Sequence, residues 1–223
     1  MTRAARFAAA TAALICTACS VSVVNWQSLL GDTPATDWRG FRRADLPAGW
    51  QMVDGALTRV AQGGDIITRE TYDNFELTLE WKISPGGNSG IFFRVVEDST
   101  LNAVYLTGPE MQVLDNAGHA DGKTPSTSAG SNFALHAPTR DATKAVGEWN
   151  AVRLLVNGAH VEHWLNGEKV VEYELWSDDW KQRVQASKFK AWPRYGMERS
   201  GHIALQDHGD WVAFRNIRIR RIK

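Results

Sequence analysis

Four stretches of this 223-residue chain put ionisable or amide side chains at alternate positions, the spacing that gathers them on one face of an extended strand. In "PEMQVLDN" Glu110 and Gln112 share a face opposite Met111 and Val113, and in "ALQDHG" Ala204, Gln206 and His208 alternate with Leu205 and Asp207. "FELTLEWKI" carries Glu80 on its polar side, and "GGNSGIFFRV" sets Gly90, Phe92 and Arg94 against Ile91, Phe93 and Val95. Carboxylates and an imidazole can take or give a proton, and a cation can hold the charge that such a transfer leaves behind. Glu80, Glu110 and His208 are therefore the candidate acid–base groups, with Arg94 or Lys190 as the candidate cation. Asn88, Gln112, Asp115, His119, Lys190, Trp192 and Gln206 are candidates for ligand contact. Trp192 lies in "FKAWPRYG", a loop marked by Pro193 and Gly196, where an indole can stack on a ligand ring.

Each of these residues also has a purely structural use. An arginine opposite a glutamate on neighbouring strands is commonly a cross-strand or surface pair, and Gly86, Gly87 and Gly90 fit a tight turn or bulge. His160 and His163 fit surface or packing roles, whereas His119 and His136 lie in Gly/Ser/Thr-rich loops that leave their use open. A divalent metal held by oxygen and histidine ligands is conceivable, although no tight ligand spacing announces one. A retaining glycosidase needs two carboxylates about 5–5.5 Å apart. Glu76 and Glu80 share one strand, and at about 3.3 Å per residue their α-carbons stand about 13 Å apart. A pair drawn from two strands stays open, as does a noncatalytic carbohydrate-binding module.

The elements that must position these residues repeat every two residues rather than every 3.6. Phe75, Leu77, Leu79 and Trp81 alternate with Glu76, Thr78, Glu80 and Lys82, which makes a strand with one core face. In "RLLVNGAHVEHWLNGEKVVEYE" the Asn-Gly pairs at 157–158 and 166–167 separate three β-rich runs, predicting a three-stranded meander. "GHIALQDHGDWVAFRNIRIRRI" predicts two further strands around Gly209-Asp210. Only "SDDWKQRV", capped by Ser177, reads as a short helix, with Trp180 and Val184 on one side. About a dozen short strands and one helix predict an all-β chain, a two-sheet sandwich or jelly roll.

Apolar residues make up 43% and charged residues 22% of the chain, enough for one sizeable core. The 25 basic residues balance 25 acidic ones, so neither nucleic acid nor another polyanion is implied as a partner. The opening "MTRAARFAAATAALICTACS" has a basic start, an apolar stretch over 7–15 and small residues before Cys19, which predicts a secretory signal over 1–19 rather than a membrane span. Thr17 and Ala18 before Cys19 are similar to a bacterial lipoprotein cleavage box. Cys19 is then the candidate lipidation site, and the location is exported, periplasmic or lipid-anchored to the cell envelope. Cys16 and Cys19 are the only cysteines, so the mature domain lacks an internal disulfide and a Cys-based zinc site. Residues 20–45 are expected as a linker and first strand region, and 46–223 as the main domain.

"TYDNFELTLEWKISPGGNSGIFFRV", "TGPEMQVLDN", "GEWNAVRLLVNGAHVEHWLNGEKV" and "GHIALQDHGDWVAFRNIRIRRI" together resemble the secreted bacterial 3-keto-disaccharide hydrolases, from about Trp50 to Ile222 and in the same order. The resemblance implies a concanavalin A-like jelly roll. It also implies action on glucosides already oxidised at C3 by a separate dehydrogenase. A C3 ketone acidifies the hydrogen on C2, so a base can remove it, the C1 substituent can leave by β-elimination, and water can then add to the enone. Such a site needs a base, a holder for the enolate charge and a proton for the leaving oxygen. Glu110, Glu80 and His208 are the candidates for base or acid, and Arg94, Lys190 or a divalent metal for the enolate.

Overall fold

The computed structural model describes residue 1, residues 25–31 and residues 33–222. The proposed signal and Cys19 lie outside the described residues. The strands begin with β1 (Gln27–Ser28), β2 (Trp38–Gly40), β3 (Trp50–Val53), β4 (Ala56–Arg59), β5 (Ile66–Thr68) and β6 (Phe75–Ile83). They continue with β7 (Asn88–Val95), β8 (Glu110–Leu114), β9 (Asn150–Asn157), β10 (His160–Leu165), β11 (Glu168–Glu174), β12 (His202–Leu205) and β13 (Val212–Arg221). They form two antiparallel sheets. The larger runs β11-β10-β9-β6-β13-β4-β3, with β1 also on β13, and the smaller runs β2-β5-β12-β7-β8. The stretch expected as a linker thus supplies a strand to each sheet, β1 to the larger and β2 to the smaller.

Alternation explains how the sheets meet. Phe75, Leu77, Leu79 and Trp81 of β6 share one buried core with Ile91 and Phe93 of β7, Met111 and Val113 of β8 and Leu205 of β12. Burying such a layer against a second apolar layer is the main favourable term in a sandwich. The predicted meander is β9-β10-β11, where Gly158 (φ 62°), Asn166 (φ 52°) and Gly167 (φ 86°) adopt the positive φ that hairpin turns demand. Helix α2 (Asp178–Ala186) follows Ser177, whose hydroxyl accepts from the Trp180 N–H at 3.1 Å. The four-residue helix α1 (Pro34–Asp37) was not expected. No helix among the described residues is long and apolar enough to cross a membrane.

Every residue of β7 and β8 is buried, although only one face of each strand meets the core. The loop from 115 to 137 and the turn Lys188–Ala191 cover the other side. That cover turns the outer face of the small sheet into a cavity.

Candidate active site

Gln206, just past the end of β12, lies in one row with Gly90 of β7 and Gln112 of β8: the Gln206 N–H donates to the Gly90 carbonyl at 3.0 Å, and Gly90 is the register partner of Gln112. Glu110, two residues before Gln112, leans over this row. A Cβ on Gly90 would come within 2.1 Å of Glu110 Oε1, so a bare backbone is what allows the carboxyl to lie there. The Gln112 amide, oriented with its nitrogen toward acceptors, donates to Glu110 Oε1 at 3.1 Å and to the Ser89 carbonyl at 2.8 Å. Glu110 is only 8% exposed, and burial pushes its pKa up to about 8. The Lys188 charge opposes the shift, while Asp65 and Asp121 add to it.

A cavity of about 400 Å³ opens above this carboxyl. Asn88, Glu110, Gln112, Trp192, Gln206 and His208 line it, together with Tyr105, Asp121, Phe133, Lys188 and Phe189. Six of the sequence candidates therefore meet in one place. His119 sits beside them with its ring 6.3 Å from that of His208, and its Nδ1 caps the turn Ala120–Lys123 by accepting from the Asp121 N–H. The alternation in "ALQDHG" has a simple outcome. Gln206 and His208 face the cavity, whereas Asp207 turns to Arg59 and the N–H groups of Gly63 and Gly64.

Four candidates lie elsewhere. Glu80 is on the outer face of the large sheet, where it accepts from Arg215 Nε at 2.5 Å and Asn216 Nδ2 at 3.0 Å; it is a cross-strand pair. Arg94 leaves the cavity face because the pairing slips at its position: Phe92 faces Ala204 but Val95 faces His202, and Arg94 takes φ 53°. The bulge interrupts the period of two. Phe92 and Val95 then share a small apolar cluster, while the guanidinium donates to the carbonyls of Asp73 (3.0 Å) and Gly158 (2.9 Å) beside Trp176. Asp115 pins the glycine turn, its carboxylate accepting from the Gly86 N–H at 2.7 Å. Lys190 is exposed on the far side of its turn, against a separate pocket with Trp176 and Trp180. With three residues per turn, positions 188 and 190 cannot share a side, and Lys188 is the one that reaches the cavity.

Tyr105, Asp121, Phe133, Lys188 and Phe189 were missed because they come from loops and 3-10 turns, where no periodicity marks a face. As for a metal, the one group of three described residues whose ligand atoms lie within 4.8 Å of one another is His160, Glu162 and Glu172. It stands on the large sheet outside the cavity, and Lys169 already pairs with Glu162 and Glu172.

The two-sheet jelly-roll sandwich is a fold this chain shares with solved structures described as candidate glycosyl hydrolases. Among solved structures, a candidate glycosyl hydrolase from Parabacteroides distasonis is 36% identical, with a TM-score of 0.78 over 84% of this chain and 89% of that one. A second from the same organism is 26% identical, with a TM-score of 0.71 over 89% and 100%. The chain belongs to the 3-keto-alpha-glucoside-1,2-lyase-like family, whose model matches residues 25–220. A 3-keto-disaccharide hydrolase from Bacteroides thetaiotaomicron is 37% identical over 213 residues, covering 82% of this chain and 73% of that protein.

Proposed function

We propose that this protein cleaves 3-keto-glucosides, 3-keto-disaccharides among them, by proton removal at C2 and departure of the aglycone from C1. The observation that carries this is Glu110, a carboxyl buried under the cavity whose pKa of about 8 makes it a far stronger base than an ordinary carboxylate once ionised. Membership of the family and the 37% identity to a 3-keto-disaccharide hydrolase support the same substrate class. Glu110 is the base, and His208 at the cavity wall is the donor to the leaving oxygen. Gln112 fixes the Glu110 carboxyl, while Trp192 and Tyr105, with ring centres 5.2 Å apart, form an aromatic wall against which a pyranose can stack. The Glu76 and Glu80 pair considered for a retaining glycosidase lies on the large sheet, on residues already bound to arginines.

The ketone must be installed beforehand by a separate sugar dehydrogenase. Export fits that division of labour, with cleavage before Cys19 and a lipid on its thiol. Mass spectrometry of the mature protein tests the anchor: a lipidated N-terminal Cys19 is expected, and a soluble form starting elsewhere would remove it. The reaction is tested in heavy water. A 3-keto-glucoside should give 3-keto-glucose carrying deuterium at C2, at early times and above an enzyme-free blank, while the unoxidised glucoside stays intact. Normal turnover without label at C2 would sink elimination, and efficient cleavage of the unoxidised sugar would restore an ordinary glycosidase.

A further inference from the structure

Removing a proton from C2 leaves an electron pair that forms the C2–C3 double bond and moves the C3 carbonyl pair onto oxygen. The site therefore needs a positive or donor group at that oxygen. The two cations expected from sequence are both elsewhere, Arg94 on the carbonyls of Asp73 and Gly158 and Lys190 outside the cavity. Lys188 lines the cavity with Glu110. Its Nζ lies 4.5 Å from the ring centre of Phe133, 5.5 Å from that of Phe189 and 5.9 Å from that of Trp192, and all three rings are cavity walls. Ring faces attract an ammonium yet accept no conventional hydrogen bond from it, so its N–H donors stay available. Other lysines of the chain do bond to protein acceptors: Lys144 to the Trp149 carbonyl, Lys169 to Glu162 and Glu172, and Lys181 to Asp178. Lys82, Lys123, Lys188 and Lys190 have no such partner among the described residues, and of these four only Lys188 lines the cavity.

We propose that Lys188 is a catalytic residue whose ammonium, seated in the box of Phe133, Phe189 and Trp192, receives the C3 oxygen of the substrate and holds its charge as the enolate forms. This rests on the proposed cleavage of 3-keto-glucosides. When the enolate collapses, the oxygen pair re-forms the C3 carbonyl, the C2–C3 pair becomes the C1–C2 double bond, and the C1–O pair leaves with the aglycone oxygen, which takes a proton from His208. Water then adds at C1 and a proton returns to C2, so the net change is addition of one water. The ammonium keeps its proton throughout.

The test compares wild type, Lys188→Met and Lys188→Arg on a 3-keto-glucoside. Lys188→Met should lower kcat by about 10²–10³-fold with KM changed only a few-fold, and deuterium uptake at C2 should fall in parallel. Lys188→Arg should recover part of the loss. The pH profile adds a readout that a packing role would not move. Glu110 faces Lys188, Asp65, Asp121, Tyr195 and His208, and removing the one lysine among them should shift the rising limb of kcat/KM, expected near pH 8, to higher pH. Lys188→Met that turns over and exchanges C2–H like wild type overturns the assignment, as does a change confined to KM. A wild type that leaves 3-keto-glucosides intact removes the reaction itself and Lys188's role with it. Wild-type activity alongside an indifferent Lys188→Met removes only the lysine.

Discussion

Glu76 and Glu110 are buried almost equally, at 5% and 8% exposure, one on the outer face of each sheet. Burial pushes both upward, but on the large sheet hydrogen bonds from Arg153 and Arg220 overcome it and hold Glu76 below the usual glutamate range. On the small sheet Glu110 has only an amide partner and a more distant lysine, and its pKa stands at about 8. The contrast extends to their surroundings. Glu162 is brought down to about 2, because Trp164, Arg153, His160 and Lys169 outweigh its own desolvation, and Glu80 pairs with Arg215. Direct contact with a cation makes a buried carboxylate structural; separation from one leaves it able to move a proton.

The comparison breaks most visibly in activity. Glu110→Gln should lower turnover about 10³-fold with the fold intact, whereas Glu76→Gln should leave the activity of the folded protein unchanged; steady-state kinetics beside circular dichroism separates the two. Gly90→Ala should approach the Glu110→Gln loss, since its methyl occupies the place of the carboxylate.

Stability against pH should then show opposite slopes. Glu110 is raised in the folded state, so the native form holds a proton the unfolded chain has lost. Wild type therefore loses stability relative to Glu110→Gln as pH rises from about 4.5 to about 8, by a few kcal/mol in all. Glu76 is depressed, so its contribution is present above the unfolded value and is lost as pH falls through the folded one. Melting curves of wild type and both glutamine variants from about pH 2 to about pH 9 check both signs, the Glu76 change falling below about pH 4.5 and the Glu110 change above it. A Glu110→Gln gap that stays flat with pH would mean that the carboxyl is not protonated in the folded protein.

Arg94→Met should cost about 2 kcal/mol, because the carbonyls of Asp73 and Gly158 lose a charged donor, while kcat per folded molecule holds. Loss of kcat with an unchanged melting temperature would return Arg94 to the cavity. The smallest effect expected is that of Glu80→Gln, within about 1 kcal/mol of wild type and with full activity, as for a surface pair.

Much of this architecture is readable from local pattern. The alternation over 75–83, the two Asn-Gly turns and Ser177 before its helix each specify an element through their own backbone preferences. The same alternation places Glu110 with Gln112 and Gln206 with His208, and the structure brings those faces together. Its limit is the bulge at Arg94. That slip arises from pairing with β12, more than a hundred residues away, and nothing within "GIFFRV" announces it. Partner choice is equally nonlocal: Glu80 and Glu110 look alike along their strands, yet β13 brings Arg215 to one, and a loop and a 3-10 turn cover the other. Periodicity tells which side of a strand a residue takes, because side-chain direction follows from the backbone alone. Proton affinity and free charge depend on what packs over that side, and only the assembled sheets and loops decide it.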